Sequence, residues 1–287
     1  MSYSLGNESQ IKFGIYKAKE DPQELFDRLP KPKTLELEPR PTFLKVGAVS
    51  NVKGSAYMEY GNTKVMAQVE PPKEISKQNN RCGTLGLVIC SVKYAPFTNI
   101  DSEVIARKGS FMSVALKKAL EPVICRHEFA NFQLEIKVLI IDDDGCALST
   151  AINCCGAALI EGGIPTYDLI TASTVCLLKQ QEFINPTADV EDLLLALSAC
   201  EDKDGTVVEE QGIVVTASLS AVGQVSEFFQ KGYVLPETLE RLCDHSLAIN
   251  QRMLDTIRHV LVNKVKKYIA VQQSADEEVE MNDTDNK

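Results

Sequence analysis

The sequence has no tryptophan, only three histidines and no apolar run long enough to cross a membrane. A membrane-spanning helix needs about 20 consecutive apolar residues. The apolar runs here are far shorter, and the one at residues 138–141 stops at three aspartates. The first ten residues are polar and lack the apolar core of a secretory signal. The sequence therefore predicts a protein that neither spans a membrane nor is secreted.

Cysteines at the spacing of a disulfide framework or a zinc site are also missing. The nine cysteines are an odd number, and no two of them are separated by two residues. This spacing signals neither a disulfide framework nor the paired thiolates of a zinc site. Cysteine among apolar neighbours acts as a small hydrophobic residue. We therefore expect buried, reduced thiols and no metal ion or other cofactor.

Basic residues are fewer than acidic residues, 30 against 40, which gives a formal net charge of −10. Half of this charge lies in residues 274–287, which hold six acidic residues and one lysine. A chain with this balance has no general basic surface. Any contact with a nucleic acid must therefore be local.

The hydrophobic pattern mixes the periods of strands and helices. Strands are predicted at residues 54–60, 63–70 and 86–97, within 131–145, and again at 166–178 and 212–229; the first two flank the hairpin dipeptide Gly61-Asn62. Helical spacing is found at residues 101–124, at 149–161 and from Thr238 onward. These elements predict an α+β fold, a mixed β-sheet packed with helices in a single compact domain.

The ends of the chain differ from its middle. Residues 1–38 are rich in charge and are interrupted by Pro30 and Pro32, which predicts an N-terminal extension. Residues 39–273 carry the periodic elements and are predicted to form the domain. Residues 274–287 are acidic and have no aromatic side chain, so we expect a disordered tail.

Three stretches of the sequence can be compared with known families: Arg40-Pro41 with VKGSAYMEYGNTKVMAQVEPP, then DDDGCALSTAINCCGAALIEGGIP, and last FINPTADVED with GIVVTASLSAVGQV. Together they resemble the RNase PH family. Their order and spacing over residues 40–265 fit that family. Eukaryotic members build the six-subunit ring of the RNA exosome. The sequences at residues 119–122 and 185–187 are most similar to a non-catalytic ring subunit of the mRNA-transport type.

The resemblance also implies where chemistry would occur. Active members cleave RNA from its 3′ end with inorganic phosphate, and the helix after an Asp-Gly pair supplies an arginine and a threonine to that phosphate. Aligned from Asp144-Gly145, these positions hold Leu148 and Ser149. Leucine has no charge and no hydrogen-bond donor, so the free-energy cost of desolvating a phosphate beside it is not offset by any new interaction. We therefore expect a degenerate phosphate site in which Ser149 is an ordinary first-turn serine.

Other positions implied by the resemblance have also changed. Val214 stands near a catalytic aspartate of the family, with Glu209 and Glu210 upstream in a predicted loop. Phe111 and Val114, which we expect to be core residues, replace side chains that face the site. We therefore assign no catalytic residue and no metal ligand.

One pair of basic residues remains at a position that the family also uses. Arg107-Lys108 stands where the family keeps a glycine-arginine pair close to the RNA path. The pair is either an RNA contact or the solvated start of a helix, and both interpretations are open at this point.

The remaining candidate motifs are weak. His127, His245 and His259 have no partner serine or cysteine in the arrangement of a triad. Residues 142–144 are three aspartates, but successive residues of a strand point to opposite sides and do not converge on one ion. No loop of the Gly-x-x-x-x-Gly-Lys type is present, which excludes a phosphate-loop NTPase.

The sequence thus predicts an inactive RNase PH-like subunit of the exosome ring that helps to form a channel for RNA in 3′ to 5′ processing and degradation. The partners implied are other RNase PH-like ring subunits, cap subunits with OB-fold or KH domains, single-stranded RNA and an associated exoribonuclease. The implied locations are nucleus, nucleolus and cytoplasm. The alternatives are a phosphate-dependent exoribonuclease that uses Ser149, Lys108 and Glu209 or Glu210, and an adaptor unrelated to RNA.

Overall fold

The computed structural model describes residues 40–75, 84–98, 102–178, 180–200 and 210–284. Within these residues the strands are β1 Thr42–Val46, β2 Gly54–Tyr60, β3 Thr63–Val69, β4 Lys73–Glu74, β5 Leu87–Tyr94, β6 Phe132–Asp142, β7 Ile170–Leu178, β8 Gln181–Ile184, β9 Gln211–Leu219 and β10 Gln224–Tyr233. The α-helices are α1 Ser102–Leu120, α2 Ala147–Glu161, α3 Ala188–Cys200 and α4 Pro236–Thr284. Among the described helices, none combines the length and apolar character needed to cross a membrane.

The first sheet contains six strands. β1, β2, β3 and β6 are antiparallel neighbours, β4 pairs with the start of β6, and β5 pairs with β6 in parallel. Gly61 makes the β2–β3 hairpin possible because its φ of +62° lies in the left-handed region. The hairpin predicted at this dipeptide is confirmed.

Helix α2 lies between the first sheet and a second sheet, which has the strand order β10-β9-β7-β8. Twelve of its fifteen residues are buried, from Ala147 to Leu159. The small residues of this helix allow close approach to both sheets. A Cβ added at Gly54 of β2 would lie 2.2 Å from the carbonyl oxygen of Ala158, and one at Gly156 would lie 2.8 Å from that of Ile170.

Helix α4 covers the second sheet on the face opposite α2. Its stripe of Leu242, Ile249, Met253 and Ile257 is buried, as the predicted amphipathic spacing requires. Helix α1 packs against β5 and α2. The predicted α+β fold with mixed sheets is confirmed.

The prediction of a disordered tail is wrong for residues 274–284, which continue α4 to Thr284. Alanine, glutamate and methionine favour helix, and extending an existing helix avoids the cost of nucleation. Residues 1–38, the predicted extension, lie outside the described residues, and the boundary of the domain at residue 273 stays a prediction.

Candidate functional site

The predicted phosphate position lies where β6 ends and α2 begins. Gly145 and Cys146 both adopt positive φ, +84° and +58°, and turn the chain from strand into helix. The Thr63 hydroxyl holds this turn, because it donates to the carbonyl oxygen of Gly145 at 2.7 Å and accepts from the amide of Asp144 at 3.1 Å. The N-terminus of α2 is therefore fixed in place by the β2–β3 hairpin.

A carboxylate of the chain itself lies at this helix N-terminus. Glu191, from α3, accepts a hydrogen bond from the Cys146 amide through Oε1 at 2.9 Å. The positive end of a helix attracts an anion, and here the anion is a glutamate rather than a ligand. Burial raises the pKa of Glu191 to about 7, and the charge of Asp143 adds to that rise, whereas the Cys146 amide and Lys108 oppose it.

The two residues of the degenerate phosphate site are engaged within the fold. Leu148 is half-buried and packs against the main core. Ser149 is buried; its hydroxyl donates to the carbonyl oxygen of Cys146 at 3.0 Å and accepts from the Thr174 hydroxyl at 2.9 Å. The Ser149 hydroxyl thus has two partners inside the protein and no exposed face for a phosphate.

The three aspartates that follow β6 have different partners. Asp142 lies 3.9 Å from the Lys64 ammonium, and Asp144 accepts from the Asn62 amide at 3.1 Å. Asp143 accepts from the Tyr94 hydroxyl at 3.2 Å and from the Gly145 amide at 3.3 Å. Within the described residues, no group of His, Cys, Asp and Glu side chains is arranged to hold a metal ion.

The two residues of the basic pair, Arg107 and Lys108, have different surroundings. The Arg107 guanidinium lies 3.8 Å from Glu103, one turn earlier on α1, whereas the Lys108 ammonium lies 4.0 Å from Oδ2 of Asp143. Both side chains are about half exposed or more. Lys108 therefore reaches the site, and Arg107 lies on the outer surface of α1.

The prediction that Phe111 and Val114 are core residues is wrong, because they are 49% and 58% exposed. Helix α1 buries the stripe of Met112, Leu116 and Leu120 against the first sheet instead. Residues 107, 111, 114 and 118 form another stripe at helical spacing, and this one faces solvent. Apolar residue type alone did not reveal which stripe the sheet covers.

Other positions singled out in the sequence are not brought to the site. Val214 is buried in a cluster with Val175 and Leu242. Glu210 precedes β9, and Glu209 lies outside the described residues. His245 contacts the Glu182 carboxylate at 2.8 Å, and His259 contacts the Asn263 amide at 2.8 Å.

Glu191 lies in the stretch FINPTADVED, residues 183–192, but was not among the predicted site residues. The structure shows that α3 begins in this segment and packs Val190, Leu193 and Leu194 against β7. The sequence signal was the acidic first turn of a short apolar helix after Pro186.

The seven cysteines whose side chains are described are free, and five of them are buried. Burial raises the pKa of Cys154 to about 12 and that of Cys176 to about 12. The predicted burial is thus confirmed for five of these seven thiols.

The elevated pKa of Glu191 predicts a pH-dependent stability. The pKa of Glu191 is about 7 in the folded state and about 4.5 ordinarily, so the folded state binds the proton more tightly than the unfolded state. The contribution of protonated Glu191 to the free energy of unfolding is therefore complete below about pH 4.5 and is lost as the pH rises through 7. Glu191→Gln keeps an acceptor for the Cys146 amide and carries no charge. We expect this variant to be more stable than the wild type by on the order of 2 kcal/mol at pH 8, with the difference shrinking toward pH 5.

Pulse proteolysis in urea, which works with dilute protein, measures the two stabilities. Glu240→Gln, at an exposed position of α4, is the control for loss of a carboxylate elsewhere. An equal stability difference for Glu191→Gln at pH 5 and pH 8 would contradict the prediction.

Comparison with known proteins places this site in a family context. Residues 38–165 match the model of RNase PH, 3′ exoribonuclease family, domain 1. The chain is 37% identical over 165 residues to the exosome complex component RRP41-like of Arabidopsis thaliana, covering 57% of this chain and 60% of that protein. It is 30% identical over 152 residues to the exosome complex component MTR3 of Mus musculus, covering 48% and 56% respectively.

The matched region thus spans somewhat more than half the length of these curated relatives. Among solved structures, the chain resembles rice (Oryza sativa) Rrp46 with a TM-score of 0.62 at 19% identity, over 77% of this chain and 95% of that chain. At this identity the likeness shows a shared fold.

Proposed function

We propose that the chain, whose residues 38–165 match the model of RNase PH, 3′ exoribonuclease family, domain 1, and whose fold is RNase PH-like, is a non-catalytic ring subunit of the RNA exosome core. Its role is to complete the ring and to help guide single-stranded RNA along the channel for 3′ to 5′ processing and degradation. Similarity to proteins named as exosome complex components supports the assembly.

The observation that carries the non-catalytic assignment is the Glu191 carboxylate at the N-terminus of α2. Phosphorolysis requires that a phosphate dianion bind beside a second phosphate group, and this needs cationic and hydroxyl donors. Here the Glu191 carboxyl group already accepts at the helix N-terminus, Asp143 lies nearby, and Leu148 supplies no donor. A phosphate at this position would have to displace that carboxyl group and would be repelled by Asp143 in a partly buried site.

The alternative of an active enzyme depends on Ser149. Ser149 is 1% exposed, and its hydroxyl is hydrogen-bonded to Cys146 and Thr174. Binding a phosphate through this hydroxyl would break both of these hydrogen bonds. These contacts weigh against the alternative. The third hypothesis, an adaptor unrelated to RNA, becomes an outcome of the binding experiment below.

The proposal extends to partners and location. A ring subunit would contact other RNase PH-like subunits, cap subunits with OB-fold or KH domains and an associated exoribonuclease. The corresponding locations are the nucleus, including the nucleolus, and the cytoplasm. Within the ring we propose the MTR3-like position, on the sequences at residues 119–122 and 185–187; the matches to MTR3 at 30% and to the RRP41-like protein at 37% identity both support a ring subunit.

RNA guidance is tested by Arg107→Ala/Lys108→Ala in the assembled ring. Both side chains are exposed, so each can contact a phosphate without a change of fold. We expect single-strand RNA affinity to fall by about 1–2 kcal/mol, with a shallower salt dependence and unchanged assembly, because phosphate contacts are independent of sequence and release counterions. Fluorescence anisotropy across a salt series measures both quantities.

The matched control is Lys266→Ala/Lys267→Ala, which removes the same charge from an exposed part of α4. If the Arg107→Ala/Lys108→Ala variant binds RNA with the affinity and salt dependence of the wild type, the pair does not contact RNA and is only the solvated start of a helix. A ring whose RNA binding is unaffected by omission of this subunit would support the adaptor hypothesis.

A further inference from the structure

Four residues of α1 form a continuous exposed stripe: Arg107, Phe111, Val114 and Lys118. Residues three and four apart are neighbours on a helix surface, so Phe111 lies directly between the cations of Arg107 and Lys108 on one side and Val114 on the other. Phe111 and Val114 are 49% and 58% exposed, so two apolar side chains of the stripe lie between the cations of Arg107 and Lys118. We call this feature the α1 stripe.

Strand β10 runs beside the α1 stripe and extends it. Phe229 packs edge to face against Phe111, with ring centroids 5.2 Å apart and an interplanar angle of 62°. At one end the Ser226 hydroxyl donates to the carbonyl oxygen of Ala119. The strand thus runs antiparallel to α1 and fixes the orientation of the Phe111 side chain.

A third cation lies at the other end of this contact. Lys231 is two residues beyond Phe229 and lies on the same face of β10. Burial lowers the pKa of Lys231, and the charge of Lys108 adds to that fall, whereas Glu191 opposes it. Cations therefore border the aromatic pair on the side of the α2 N-terminus.

We propose that Phe111, supported by Phe229, is a stacking platform for a base of single-stranded RNA, with Arg107 and Lys108 binding the adjacent phosphates. This inference rests on the proposed function, which supplies RNA as the polyanion, and it adds the contact that binds a base. Proteins that bind single strands without sequence preference combine exactly these two elements, a basic path and exposed aromatic side chains.

The acidic groups of the site explain why binding would be restricted to this outer surface. Asp143 and Glu191 lie at the α2 N-terminus and disfavour a phosphate there. The α1 stripe carries two cations and no acidic residue between Arg107 and Lys118. An RNA strand would therefore pass along α1 without entering the degenerate phosphate site.

The test compares two probes on the assembled ring, oligouridine and the same sugar–phosphate chain without bases. Phe111→Leu keeps an apolar side chain but removes the aromatic face. We expect it to weaken oligouridine binding about tenfold and to leave binding of the abasic chain unchanged. Phe111→Tyr should retain wild-type affinity, since it keeps the aromatic face.

The matched control is Phe43→Leu. Phe43 is 53% exposed and is also paired edge to face, with Tyr57 at 6.4 Å, but it lies on β1. The Phe43→Leu variant should not change the affinity for either probe.

Each other outcome overturns the inference in a recognisable way. If Phe111→Leu leaves oligouridine affinity unchanged but Arg107→Ala/Lys108→Ala lowers it, the platform is absent and the proposed function stands. If Phe111→Leu instead disrupts ring assembly, the patch is a protein interface. If neither variant changes RNA binding, both proposals fail.

Discussion

Incubated with RNA, inorganic phosphate and magnesium, the purified chain should release no nucleoside diphosphate. The phosphate would have to bind where the Glu191 carboxylate already accepts the Cys146 amide at 2.9 Å. The position of the family's arginine holds Leu148, and the Ser149 hydroxyl is bonded inside the fold. Loss of phosphate binding removes the nucleophile itself, so the expected effect is a complete absence of turnover. Chromatography of the products measures it.

Restoring one residue should not restore activity. In Leu148→Arg the new guanidinium would have the internal Glu191 carboxylate as a competing partner, so we expect no product from this variant either. An active phosphorolytic relative, run in parallel, is the positive control. Release of nucleoside diphosphate by the wild-type chain, abolished by Ser149→Ala, would establish the enzyme hypothesis instead.

The isolated chain should self-associate at micromolar concentration and become a defined species only with a second RNase PH-like subunit. Strand β10 is at the edge of the second sheet and has ten residues, so it offers a long row of backbone donors and acceptors. Val225, Phe228 and Tyr233 are at least 39% exposed along it. Long apolar edge strands favour pairing with another chain. Sizing with light scattering distinguishes the two states.

The surface responsible can be tested directly. Phe228→Glu should prevent formation of the complex with the partner subunit, because a charge would be buried at a strand edge. Phe43→Glu makes the same change at an exposed phenylalanine on β1 and should leave the complex intact. A monodisperse monomer of the wild-type chain at micromolar concentration would be the contrary result.

From sequence alone, the strand GSAYMEY and the helix with Cys154 and Cys155 are candidate association surfaces, because both are apolar. Met58, Cys154 and Cys155 are instead fully buried within the chain, because α2 lies between two sheets. The apolar side chains that remain exposed include those of Phe111 and Val114 on α1 and of Val225, Phe228 and Tyr233 on β10.

Local features could be predicted from sequence because their causes are local. Gly61-Asn62 permits the positive φ of a tight hairpin, the small residues after Cys146 allow a helix to pack on both sides, and the apolar stripe of α4 repeats at helical spacing. The substitution of Leu148 and Ser149 at the expected phosphate position was also visible. These signals were sufficient for the fold class and for the hypothesis of a degenerate site.

The contacts that decide the site join distant parts of the chain. Glu191 and Cys146 are 45 residues apart, and Phe111 meets Phe229 only because β10 runs beside α1. No local period reveals which of two apolar stripes a sheet will cover, so the exposure of Phe111 depended on how α1 packs against β5 and α2. Sequence determined the elements and the missing phosphate ligands, whereas tertiary packing decided which carboxylate caps α2 and which aromatic side chain faces solvent, since both depend on long-range contacts.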